Sequence, residues 1–584
     1  MGWASRGRPQ VGGGWPASSC SARAAHGERG EGKRKKKGER KKGKRERGKE
    51  KKRGVGGIRG DVDCPNSHVR KQHNSTSERT KYSVCWPGPP APHGTRGNAV
   101  QSPPPAAAFR TCPSPPAAFP RRGAATGGLR GGRELGLRVL PPAPGAKVVQ
   151  GLLLPNSVPR VRLAAASSDA LSALAGTGVT VTVGVPDALL RPLASSTKTA
   201  AAWVHDNITR YASSVRFEYI AVGDEPFLLS HGQHFQPFVV PAAANIKKAL
   251  TAAKLSTKIK VVVPCSTDTY QNASMLPSKA SFRPDVNKTM GELLSFLSNN
   301  SLPFMVELDP FLSFQHHKNL SLDYYLFQLM SHPVKDGQNK YDNYFDASID
   351  AVVTALTNAG FSDMDIIVGR AGWPTDGAVN ATPAIAQSFM TGLVNHLAKK
   401  SGTPLRLKVL PVETYLFSLL DEDQRNTASG GYERHHGIFT FDGQAKYYAN
   451  IGQGPKSLKN APDVGYFPSK WCVIDNNKDL SNVSASFSAA CSNGDCTVLS
   501  PGGSCSGLGW PSNVSYAFNN YYQQHDQIED SCDFNGQCLI TTVDPSVDCL
   551  FPLAIRTSAA TSLHLTLANV SVFSFLGLHF LFIV

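Results

Sequence analysis

Short β-rich runs alternating with longer helical ones over residues 145–455 predict an α/β fold, with βα units laid on a parallel sheet. Two further observations frame it. Seven of the twelve cysteines fall between Cys472 and Cys549, which predicts a small disulfide-stapled module after the sheet. Residues 1–144 carry 31 Lys+Arg against 9 Asp+Glu, a net of +22, whereas the remainder carries 31 against 35, a net of −4. The overall +18 therefore belongs to one end of the chain, and the body that folds is mildly acidic.

The basic end comes first. Residues 29–53 are only Lys, Arg, Gly and Glu, a composition that cannot bury enough apolar surface to fold and is expected to be disordered. Residues 86–145 are rich in Pro, Gly, Ala and Arg without periodicity. A solvated tail and a basic RNA-binding or nuclear-targeting arm both fit. The reading adopted for 1–144 is an aberrant segment ahead of the folded chain, without a recognisable N-terminal signal peptide, and nucleic acid is not expected as a partner. Secretion is nevertheless expected, because Asn207, Asn272, Asn287, Asn299, Asn319, Asn380, Asn482 and Asn513 each open an N-x-S/T triplet beside the cysteine cluster.

Seven strand candidates follow: VPRVRLAA, VTVTVGV, FEYIAVGDE, KIKVVVPC, LPFMVELDP, DMDIIVGRAGWP and LRLKVLPVE. Helical segments such as PAAANIKKALTAAKL and FDASIDAVVTALTNAG lie between them. The latter puts Ile349, Val352, Val353 and Leu356 on one apolar face. No metal or cofactor is expected, since His316–His317 and His435–His436 are adjacent pairs without the spacing that sets two ligands on one helix face.

The stretch IIVGRAGWPTDG, Ile366 to Gly377, closely resembles the nucleophile signature of plant glycoside hydrolase family 17, the β-1,3-glucanases. FEYIAVGDEPFL resembles the segment carrying that family's acid, and YLFSLLDEDQRNTASGGYERHHGIFTFDGQAKY resembles its eighth unit. The resemblance implies a (β/α)8 barrel over 145–455, with the chemistry at the strand ends. Only the family's first strand lacks a counterpart, for which LGLRV (Leu135–Val139) is a poor substitute.

Retaining glycosidases use two carboxyl groups roughly 5 Å apart, an acid and a nucleophile. By the resemblance Glu225 is the acid/base and Arg370 occupies the nucleophile position, where it cannot attack a carbon centre. Asp224 stands where the family usually has the asparagine that binds the sugar's 2-hydroxyl. Glu307 and Asp309 stand where it usually has Asn and Tyr. Either could pair with Arg370 and leave a charge-balanced, inert site, or Glu307 could act as a displaced nucleophile. Glu422, Arg425 and Glu433 line the family's cleft, a surface ion pair being the alternative. Trp373 is either a platform for a sugar ring or a structural tryptophan at the barrel rim.

WCVIDNN, AACSNGDCTVLSPGGSC, VSYAFNNYYQQ and SCDFNGQC resemble, in that order, the family 43 carbohydrate-binding module over residues 470–551. Spacing alone leaves the connectivity open. The resemblance implies the pairs Cys472–Cys532, Cys491–Cys496 and Cys505–Cys549, leaving Cys538 over; Tyr516, Phe518, Tyr521 and Tyr522 offer aromatic surface for a glucan, though some of them must be core.

At the C-terminal end, small residues over 557–562 precede an apolar tail running to Val584. This resembles a glycosylphosphatidylinositol (GPI) attachment signal over 557–584, with Ser558, Ala559 and Ala560 as candidate sites; a single membrane-spanning helix is the alternative. The expectation is a monomeric, GPI-anchored protein on the outer face of the plasma membrane or in the cell wall. Its expected ligand is callose-like β-1,3-glucan, either hydrolysed or only bound.

Overall fold

The computed structural model describes residues 82–86, 135–139 and 148–556, apart from 272–274, 400, 408, 410, 411 and 424. The basic run 29–53, the sequon at Asn272 and the candidate attachment sites Ser558, Ala559 and Ala560 lie outside the described residues. Among those described, no helix is long and apolar enough to cross a membrane.

Eight parallel strands close on themselves. They are β1 (Leu135–Val139), β2 (Arg160–Leu163), β3 (Thr180–Val185), β4 (Arg216–Val222), β5 (Lys260–Val262, resuming at Pro264–Ser266), β6 (Phe304–Glu307), β7 (Ile366–Ala371) and β8 (Glu413–Phe417). The first half of β5 pairs with β4 and the second with β6, so the sheet passes unbroken through that strand. Closure is made by β1, whose Leu135 to Arg138 pair with Thr414 to Phe417 of β8 and whose Arg138 pairs with Arg162 of β2. A ninth, antiparallel strand, Tyr82–Trp86, pairs with β1 and β2 along the same seam.

Two expectations need correction. The boundary drawn at residue 144 leaves Leu135–Val139 outside the barrel, yet this segment supplies the strand thought to be missing. Composition hid it, but an open parallel edge is costly and almost any extended segment relieves it. The eighth strand is Glu413–Phe417 and not LRLKVLPVE, in which Leu405 and Leu407 are exposed. A ladder strand starts more readily after Pro411 than across it, because proline has no N–H to donate.

Helices cover the outside. Gln236–Ala252 and Tyr344–Asn358 take up most of the helical segments expected, stopping short of Leu255 and Gly360, the latter helix opened by Asn343, whose side chain accepts from the Asp346 N–H at 2.8 Å. Its residues Ile349, Val352 and Leu356 are buried, with Val353 packed at the edge. Inside the barrel, Tyr219, Ala221, Val262, Met305, Ile367 and Tyr415 form one packed layer beneath the mouth.

The C-terminal module has its own core. Strands β9 (Trp471–Ile474) and β10 (Cys538–Thr541) pair antiparallel, and helices Val483–Asn493 and Ser512–Gln524 pack beside them. Three disulfides join Cys472–Cys532, Cys491–Cys496 and Cys505–Cys549, the pairing that the resemblance implied, with Cys538 a free thiol. Tyr516, Phe518 and Tyr522 are the members of the aromatic set that belong to the core, and Tyr521 is half-buried. Trp510 is the large aromatic that the module exposes, at 55 %.

Candidate active site

Glu225 lies just past β4 in a tight turn. Gly223 (φ 87°) and Glu225 itself (φ 63°) take the left-handed conformation, which is unfavourable for a glutamate and typical of residues held in place by function. The Asp224 N–H anchors the turn by donating to Asp187 Oδ1 at 2.9 Å. The Asp224 side chain is half-buried on the side of Arg425, whose charge it helps to hold.

Arg370 meets Glu225 from β7. Its Nη1 lies 3.0 Å from Glu225 Oε2 and its Nη2 donates to Oε1 at 3.2 Å, a two-pronged grip on the carboxylate. Glu307 Oε2 is 3.8 Å from Arg370 Nε, and Asp309 Oδ2 is 3.6 Å from Nη2. Burial works against the arginine's charge, but Glu225, Asp309 and Glu307 together outweigh it and hold the guanidinium protonated more firmly than usual. A β-bulge aims this side chain. Val306 pairs with Val368 but Glu307 pairs with Arg370, so Gly369 is the extra residue that turns Arg370 into the mouth.

Beneath it, Arg162 of β2 ion-pairs with Glu307 and donates from Nη1 to the Gly369 carbonyl at 2.7 Å. Both side chains are almost wholly buried, and a β-carbon at Gly369 would strike them. Glu307 is thus shared by two arginines. Burial pushes Asp309 above the usual carboxylate range despite the pull of Arg370, and its Oδ1 caps the following helix by accepting from the Leu312 N–H at 3.0 Å.

A second cluster faces this one across Phe417. Arg425 donates to Glu433 at 2.8 Å and to Glu422 at 3.0 Å, and its guanidinium lies 5.0 Å from the Phe417 ring centre, with that of Arg370 at 5.4 Å. Burial pushes Glu433 up, but Arg425 and its neighbours pull harder and leave it below its ordinary value. His436, buried against Phe417, is pushed down to about 3 by burial foremost.

The fold therefore brings Glu225, Glu307, Asp309 and Arg370 together, with Glu422, Arg425 and Glu433 beside them. Trp373 is elsewhere. It is fully buried, donates to the Asn380 carbonyl at 2.9 Å and packs on Phe311, Phe314 and Phe389, so no face remains for a sugar. A large ring in a rim motif fills the space behind β7 before it can serve a ligand. Sequence reasoning missed Arg162, Phe417 and His436. Arg160 and Arg162 at alternate positions of an apolar strand were the available signal, since alternation puts both inside a barrel. Among the described residues, no group of three or more His, Cys, Asp or Glu side chains could hold a metal.

A mouth of carboxylates at the C-terminal ends of barrel strands defines the glycoside-hydrolase class of barrel. The profile of glycosyl hydrolases family 17 matches residues 143–451, and that of the X8 domain matches 470–539. The chain belongs to glycosyl hydrolase family 17. It is 52% identical over 425 residues to glucan endo-1,3-beta-glucosidase 9 of Arabidopsis thaliana, covering 72% of this chain and 88% of that one. It is 41% identical to glucan endo-1,3-beta-glucosidase 5 of the same plant, covering 72% and 87%. Among solved structures it is similar to CJP38, a beta-1,3-glucanase and allergen of Cryptomeria japonica pollen, with a TM-score of 0.50, 34% identity, and coverage of 53% of this chain and 95% of that one.

Proposed function

We propose that this protein binds β-1,3-glucan of the cell wall, and that the ion-paired mouth of its barrel holds the polymer without cleaving it. The observation that carries this is the two-pronged contact of Arg370 with Glu225. Retaining hydrolysis needs an ionised nucleophile and, opposite it, an acid that still has its proton. Here the nucleophile position holds a cation, and that cation stabilises the ionised form of the acid. Asp224, Glu422, Arg425 and Glu433 then serve as hydrogen-bonding groups for sugar hydroxyls.

A second reading is endo-hydrolysis of β-1,3-glucan, favoured by the relatives named glucan endo-1,3-beta-glucosidases. It would need Glu307 as nucleophile, but Glu307 is already engaged by both Arg162 and Arg370. The test is reducing-sugar release from β-1,3-glucan by the wild-type protein and by Arg370→Glu. Glucan retention without release by the wild type, and release by the variant, supports binding. Robust wild-type release overturns it in favour of hydrolysis.

The same reading assigns 145–455 together with the strand Leu135–Val139 to the barrel, 470–551 to a glucan-binding module and 557–584 to a GPI signal, with the protein monomeric at the outer face of the membrane. The three disulfides support an oxidising, secretory location. Release from membranes by a phosphatidylinositol-specific phospholipase tests the anchor.

A further inference from the structure

We propose that the C-terminal module is a fixed wall of the barrel mouth, clamped there through Arg434 and His435, and that one β-1,3-glucan chain lies across both. This rests on the glucan reading above and adds a length requirement to it.

The loop after β8 has two edges. One carries Glu433, which holds Arg425 in the mouth. The other meets the module. Arg434 Nε donates to the Arg425 carbonyl at 3.0 Å, while its Nη1 donates to the Gly494 carbonyl at 3.3 Å and lies 3.1 Å from Asp495 Oδ1. A single guanidinium thus joins the backbone of a mouth residue to the module. Beside it, buried His435 places Nε2 2.6 Å from Thr497 Oγ1. The Thr497 hydroxyl itself donates to Asp495 Oδ1 at 2.5 Å, so the imidazole is the donor to Thr497.

The contact is anchored in both bodies. The Asp495 N–H donates to Asn520 Oδ1 at 2.5 Å, reaching a buried residue of helix Ser512–Gln524, and the Cys491–Cys496 disulfide closes the turn that presents it. On the barrel side the loop after β7 joins in, with Asp376 Oδ1 accepting from the Ser504 N–H at 2.7 Å. Backbones also touch. Gly502 (φ +86°) comes so close to Val379 that a β-carbon would strike its backbone nitrogen, and a β-carbon on Gly431 would lie 3.1 Å from Thr497 Cβ. Glycines at such contacts mark close approach, not slack. A glucan leaving the mouth past Glu433 therefore meets the module next, at a fixed spacing.

Two sites held at fixed spacing make the second contact of a long ligand intramolecular, which raises affinity for that ligand alone. The test is calorimetric titration of the full-length protein with β-1,3-gluco-oligosaccharides of about three and about twelve sugars, with solution scattering alongside. Asp495→Ala and Thr497→Val cut the clamp from the module side. The wild type should bind the longer chain at least about ten-fold tighter than the shorter. Each variant should bring that ratio to within about two-fold while short-chain affinity holds and the scattering envelope lengthens. An unchanged ratio in both variants, or a wild-type ratio near one, overturns the shared chain. A wild type that binds neither length overturns the glucan reading itself, and scattering still reports whether the module is docked.

Discussion

Arg370 grips both oxygens of Glu225 across the barrel mouth, at 3.0 and 3.2 Å, where a retaining glycosidase would set two carboxyl groups facing each other. The contact converts a pair that must differ in protonation into one that is satisfied by charge. Glu307 and Asp309 extend it, so the arginine is held by three carboxylates, two from the end of β6 and one from the turn after β4.

Removing that cation should be expensive. Arg370→Met leaves Glu225, Glu307 and Asp309 facing one another with less compensation, and breaking a buried ion pair from one side typically costs about 3–5 kcal/mol. The loss should depend on pH. Asp309 already sits above its ordinary value through burial, with Arg370 pulling it down; without Arg370 it rises further. A carboxyl raised in the folded state contributes stability that is present below its unfolded value and lost as pH rises through its folded one. The gap between wild type and variant should therefore be wide near neutral pH and narrow toward about pH 4. Thermal melts across that range check this, and a gap independent of pH would contradict it.

Trp373→Ala separates a core tryptophan from a sugar platform. The ring is fully buried among Phe311, Phe314 and Phe389, so its deletion should cost about 3–5 kcal/mol in denaturant unfolding. Affinity for short β-1,3-glucan oligosaccharides, measured under conditions where the variant remains folded, should stay within about two-fold of wild type, because the lost energy is packing energy. A selective loss of affinity at unchanged stability would return Trp373 to the cleft.

These two residues mark the limits of what could be read from the chain. The βα alternation, the position of Glu225 after β4 and the arginine at the end of β7 were legible, because burial imposes a visible periodicity on strands and helices. The inward aim of Arg370 was legible through the resemblance alone and not from alternation. Counting alternately from the interior residue Ile367 puts Gly369 and Ala371 inside and Arg370 outside, and only the bulge at Gly369 reverses this. β1 was only faintly legible, since Leu135, Leu137 and Val139 alternate but lie in a Pro/Gly/Ala/Arg-rich stretch, and the seam they fill is what fixes their place. The burial of Trp373 is likewise a tertiary fact, set by three phenylalanines from two other helices.

His436 gives the site a signature in acid. The ring is buried beside Phe417 and Tyr432, its Nδ1 is 3.4 Å from the Glu433 carbonyl, and burial foremost holds its pKa down to about 3 against an ordinary 6.5. Glu433 opposes the shift while Arg425 and Arg370 reinforce it. The sign follows from proton counting. Between the two values the unfolded chain binds a proton that the folded one refuses, so stability is full above the unfolded value and drains away as pH falls toward the folded one. At about 1.4 kcal/mol per pKa unit, the penalty at pH 5 is on the order of 2 kcal/mol. His436→Phe keeps a ring against Phe417 and loses the hydrogen bond to Glu433, a cost of about 1 kcal/mol at neutral pH. It also removes the titrating group. The variant should therefore melt slightly below wild type at about pH 7.5 and lose less on acidification, so that the two melting curves cross near about pH 6 and the variant is the more stable by about pH 5. Parallel loss in both proteins would mean that His436 is protonated without penalty in the fold, and the neutral, buried imidazole beside the two arginines would have to be abandoned.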